Sequence, residues 1–127
     1  MIETAILCLA LNIFHEGRSQ SVQGQRAVAQ VTMNRAGHDP ARVCEEVFRP
    51  YQFSWTNNLR GNEDRFLPYN EPAAWARAKE VARKAIAGRY RGRFRGADHY
   101  HRRDVSPAWN RNMQVVAVLD DHIFYRR

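Results

Sequence analysis

Ile2, Ala5, Ile6, Leu9, Ala10, Ile13 and Phe14 recur every three or four positions. That is the spacing of one buried helix face, and it predicts a helix over residues 3–16, with Gly17 as its stop. Ser21 is a suitable cap for a second helix over 22–35 that carries Val22, Ala27, Val28, Val31 and Met33. Asp39-Pro40 puts a capping acid before a proline at the first helical position and opens a short helix near 40–47. From Phe48 to Tyr69 the periodicity dissolves into Pro, Asn, Gly and aromatic residues. A loop of that length in a compact domain is usually functional. Glu71-Pro72 starts the clearest helix, 72–87, stopped by Gly88; its face of Ala74, Trp75, Ala78, Val81, Ala82, Ala85 and Ile86 suits close helix packing. Met113–Val118 and His122–Tyr125 are β-prone runs flanking Leu119-Asp120-Asp121, a hairpin that a strand near 98–101 can join. Helices first and a small antiparallel sheet last predict a single α+β domain over 1–127, mainly helical, with no repeat and no linker.

Composition adds a charge sign. The chain has 127 residues, enough to bury a core without staples, and a formal net charge of +7. Of its 20 cationic side chains only Lys79 and Lys84 are lysines. Arginine forks grip phosphates and carboxylates bidentately, so the excess points to an anionic partner: nucleic acid, an acidic membrane surface or an anionic polysaccharide. No apolar run is long enough to span a bilayer. Met1-Ile2-Glu3-Thr4 has no basic stretch before the apolar residues, so synthesis in the cytoplasm without a signal peptide is expected. Cys8 and Cys44 both fall in apolar helical patterns; a disulfide is open to them, but two buried free thiols are the expected state.

Three groups of residues can carry chemistry. Glu16 stands at the C-terminal end of an apolar helix, where the backbone dipole disfavours a negative charge. Burial and the carbonyl end of the dipole would both raise its pKa, which suits a general acid at neutral pH; spacing alone fits an exposed helix-end glutamate better. "YQFSWTNN", Tyr51–Asn58, sets aromatic rings among amides, as in a sugar-binding lining, with Phe53 expected in the core beneath it. "DHYHRRDVSPAW", Asp98–Trp109, contains His99-x-His101, and positions i and i+2 of a strand share a face. The remaining ligands of a zinc site would have to come from distant segments, so no metal or other cofactor is expected. Arg89–Gly96 mimics a nucleic-acid-binding segment, but a solvated basic loop is the plainer account.

"HEGRSQSVQGQRAVAQVTMNR", His15–Arg35, resembles the opening of the SleB-type cell-wall hydrolase family, which includes spore cortex-lytic enzymes and phage relatives. Glu16, Arg18, Gly24, Gln25, Asn34 and Arg35 match in order and spacing. The similarity continues in "VFRPYQFSW", "HYHRRDVSPAW" and "DHIFYR", and so spans nearly the whole chain. The resemblance implies a lysozyme-like α+β domain that cleaves the glycan backbone of peptidoglycan, with Glu16 as the catalytic acid. Gln25, Gln52, Phe53, Ser54, Trp55, Tyr100 and His101 are the expected substrate-binding positions. Tyr100-His101 should line one cleft with Glu16, and His99 should turn inward. The chain departs from the family motif at Gly17 and Ser19, and Gln20 replaces the family's second acid. With one acid left in the motif, lytic transglycosylation is the consistent mechanism. Hydrolysis would need Glu46, Glu63, Asp98 or Asp104 opposite Glu16. The expected partner is the peptidoglycan strand, bound by a monomer that neither inserts in a membrane nor binds nucleic acid. The expected place of action is the cell wall, as for a phage lysis protein. Two rivals remain, an Arg-rich nucleic-acid-binding module and a zinc amidase.

Overall fold

A computed structural model describes residues 2–49 and 70–127. Helix α1 spans Ile2–Gly17, α2 Val22–Arg35, α3 Val43–Val47 and α4 Pro72–Ile86. Strands β1 (His99–Arg102), β2 (Gln114–Leu119) and β3 (His122–Arg126) follow and form an antiparallel sheet in the order β1-β3-β2. The architecture is α+β, as the patterning predicts. Gly17 differs from expectation: it is the last residue of α1 rather than a stop beyond it, and the chain turns at Arg18–Gln20.

The caps follow local chemistry. The Ser21 hydroxyl accepts from the Gly24 N–H, Asp39 accepts from the Ala41 N–H, and Pro72 opens α4 where no donor is required. Gly88, at φ +85°, ends the helical run as only glycine does without strain.

Two apolar clusters share α2 as their wall. On one side Ala29, Met33 and Ala36 meet Leu9, Ile13 and Phe14 of α1 and the small face Ala78, Val81, Ala82 and Ala85 of α4. On the other, Ala27, Val28 and Val31 meet Phe124, Ala97 and Val116 at the sheet. Because α2 is covered on both sides, its sequence lacks the one-sided stripe that α4 shows.

The cysteines correct the expectation of free thiols: Cys8 and Cys44 are joined in a disulfide, their Cα atoms 5.3 Å apart. Each lies in an apolar helical pattern, and packing of α1 on α3 brings the two side chains together. Among the described residues no helix is long and apolar enough to cross a membrane.

Candidate active site

Glu16 occupies the last turn of α1, largely withdrawn from water, and its pKa is pushed from 4.5 up to about 7. Burial is the main cause, and the nearby Arg102 guanidinium pulls the other way. No acid contributes to its field among the described residues. Asn12 lies one turn earlier on the same helical face and is fully buried. From β1, Tyr100 turns to the same place: its buried hydroxyl feels both the Glu16 charge and the Asn12 side-chain amide. Burial first, then Glu16, holds the Tyr100 proton on well above the usual phenol range. Tyr100 is therefore a neutral donor at any physiological pH.

Strand alternation explains the partition of the rest. Tyr100 pairs with Phe124 and Arg102 with His122, on the sheet face that packs toward the helices. His122 is buried against the Tyr100 ring at 5.2 Å, and burial lowers its pKa, so it stays neutral. His99 and His101 share the opposite face, where both rings lie against Trp109. The His101 Nδ1 sits 2.7 Å from the Arg102 carbonyl and must carry the proton, leaving Nε2 to accept from the Tyr125 hydroxyl at 2.7 Å. Tyr100 thus reaches Glu16 while His101 points to the other side of the sheet. His99 Nδ1 meets Asp98 at 2.9 Å. Among the described residues no three His, Cys, Asp or Glu side chains converge in a group able to hold a metal ion.

The residues around Glu16 in the opening motif hold its helix end. Arg18 reaches Glu71 at 3.3 Å and lies over the Phe14 ring, tying the end of α1 to the start of α4. Gln25 is buried and donates from Nε2 to the Gly17 carbonyl at 2.9 Å, satisfying one of the orphan acceptors that end α1. Gln20 exchanges two hydrogen bonds with Asp121, side chain to side chain and carbonyl oxygen to backbone N–H, each 3.0 Å. Its place beside the Asp121 carboxylate suits an amide, not a second acid. Asp120 accepts from both the Ser21 backbone and the Ser21 hydroxyl, and a Cβ on Gly24 would overlap its Oδ2. Asn34 donates to the Ala97 carbonyl at 2.7 Å and Arg35 to the Asp98 carbonyl at 3.2 Å, which fixes where β1 begins and hence where Tyr100 lands.

The other described acids named from the sequence have cationic or backbone partners of their own, Asp104 on the same arginine that acts on Glu16. Glu46 is buried between Arg35 and Arg49, Asp98 receives the Arg127 N–H, and Asp104 is exposed beside Arg102. Gln52, Phe53, Ser54, Trp55 and Glu63 lie outside the described residues. Asn12 and Arg102 have no place in the sequence-based reading of the site. Only Asn12 carried a signal, a polar residue inside an apolar helical face four positions before Glu16.

A family model described as cell wall hydrolase matches residues 19–125, a stretch that begins just after Glu16. Among solved structures, the catalytic domain of the Bacillus cereus SleB protein superimposes with a TM-score of 0.72 at 25% identity, over 98% of this chain and 91% of that one. Comparison with curated proteins finds no match. The architecture is the lysozyme-like α+β type.

Proposed function

The chain belongs to the cell wall hydrolase family, and from that premise we propose that it cleaves peptidoglycan glycan strands as a lytic transglycosylase, with Glu16 as sole acid and base. One observation carries this reading: a buried carboxyl with a pKa near 7 and no second acid in its field among the described residues. A group poised near neutrality can give a proton and then take one back.

In the first half, Glu16 protonates the oxygen between N-acetylmuramic acid and N-acetylglucosamine as the muramoyl C1–O bond breaks. The carboxylate left behind is stabilised by Arg102, whose charge already draws the Glu16 pKa down. In the second half, that carboxylate removes the proton of the muramoyl 6-hydroxyl while its oxygen bonds to C1, closing a 1,6-anhydro ring without water. Tyr100 and Asn12, buried at the foot of the acid, supply neutral donors that stabilise the carboxylate from the protein side. The disulfide supports a place of action outside the reducing cytoplasm, as degradation of the cell wall requires.

Mass spectrometry of muropeptides after digestion tests the reaction. The expected product carries a 1,6-anhydromuramoyl end, and Glu16→Gln should lower the rate by about a hundred- to ten-thousand-fold with the fold intact. Reducing N-acetylmuramic acid ends would instead mean hydrolysis, with Glu63 the first acid to test. A folded Gln variant of near-normal activity would remove Glu16 from the mechanism.

A further inference from the structure

"RYRGRFRG", Arg89–Gly96, follows α4 and is not used by the site around Glu16. Helix α4 starts beside Arg18, at the Glu16 end, and its 15 residues carry the chain about 22 Å away before this loop begins. The loop folds in successive turns, with Gly88, Gly92, Phe94, Arg95 and Gly96 all at positive φ. Those turns sort the side chains. Tyr90 is buried over the Arg26 guanidinium, and Phe94 packs against both apolar clusters. Arg89, Arg91, Arg93 and Arg95 are all exposed, and none has an acid partner among the described residues. Arg126 adds a fifth cation, donating to the Arg95 carbonyl at 3.3 Å.

Four like charges within seven residues repel one another and contribute nothing to local stability. Their use lies in what they meet outside the chain. Tyr90 is buried and Phe94 is half-buried against the two apolar clusters, so what the loop offers outward is chiefly guanidinium forks rather than rings to stack on bases or apolar side chains to enter a bilayer. Forks of this kind match carboxylates bidentately.

We propose that Arg89, Arg91, Arg93 and Arg95 form an anchoring surface, remote from Glu16, that holds the free carboxylates of peptidoglycan stem peptides. The proposal rests on the peptidoglycan reading above and names a second contact with the same polymer. Stem peptides repeat along and between strands, so several weak ion pairs act together and keep the enzyme on an insoluble mesh between cleavages.

The test reads retention rather than cleavage. Glu16→Gln protein is bound to purified sacculi freed of attached phosphate polymers. It is compared with the same protein carrying Arg89→Gln, Arg91→Gln, Arg93→Gln and Arg95→Gln. The loop variant should be retained about tenfold more weakly at low salt, the sum of four exposed ion pairs. That difference should close at about 0.5 M salt, and vanish on sacculi whose carboxyls have been amidated. Thermal unfolding checks the fold; should the fourfold variant unfold, the Arg89/Arg91 and Arg93/Arg95 pairs read the same loss in halves. Equal retention on native sacculi would overturn the anchoring surface, while the Glu16 chemistry would still stand or fall on the product assay. A deficit that persists on amidated sacculi would overturn the carboxylate ligand. Tighter, loop-dependent retention on a single-stranded oligonucleotide or on anionic phospholipid vesicles would overturn the choice of partner.

Discussion

Glu16 sits where helix energetics disfavour it: the carbonyl end of α1, among buried neighbours. The folded protein holds its proton more tightly than the unfolded chain, since its pKa rises from 4.5 to about 7. Stability from this residue is therefore complete below about pH 4.5 and is lost as the pH rises through 7. The shift corresponds to about 3 kcal/mol. A glutamine mimics the protonated acid at every pH. Glu16→Gln should match the wild type in urea unfolding at pH 4 and exceed it by about 3 kcal/mol at pH 8. A difference that stays flat across that range would show that the acid is not buried as described. The expected divergence at pH 8 would mean that this residue serves activity at the expense of stability, since only the form with Glu16 protonated could begin a turnover.

At the scale of elements, the turn between α1 and α2 is clasped to the β2–β3 turn. Asp120 holds both the backbone and the hydroxyl of Ser21, and Asp121 holds Gln20. Gly24 leaves the space that Asp120 fills, whereas a Cβ on Gly17 would meet only Gln20 and Gln25 side-chain carbons at 3.6 Å, ordinary contact. These two helical glycines should therefore respond oppositely to alanine. Gly17→Ala should be neutral or stabilising by up to about 1 kcal/mol, the helix preference of alanine over glycine. Gly24→Ala should cost about 1–3 kcal/mol, because Asp120 must leave its donors. In a double-mutant cycle with Asp120→Ala, the Gly24→Ala penalty should disappear. Additive losses would mean that the Gly24→Ala penalty does not act through Asp120.

For the whole molecule, the disulfide closes a loop across a sequence separation of 36, linking the first helix to the third. Chain-entropy reasoning puts its worth at about 3–4 kcal/mol. Unfolding of the oxidised protein and of the Cys8→Ala/Cys44→Ala variant should differ by that amount; equal stabilities would show that the bond adds nothing to the fold. Periodicity alone placed α1, α2 and α4 within a residue or two, because their apolar positions, caps and stops are local signals. The hairpin was legible for the same reason. The acid at the end of α1 was visible as a local conflict with the helix dipole, and the resemblance to the family implied a role for it. What local pattern could not supply is which strand neighbour faces Glu16. Tyr100 and His101 are equally plausible in sequence, and the register of β1 against β3, set by Asn34 and Arg35, sends only Tyr100 to the acid. Nor could it supply the partners of Gln20, the pairing of Cys8 with Cys44, or Arg102 beside Glu16, since each joins segments far apart in the chain. The sequence by itself determined the elements and the acid, because hydrophobic spacing and capping act over a few residues. Only the tertiary structure decided the acid's pKa and its neighbours, because burial and charge proximity exist once distant segments have packed.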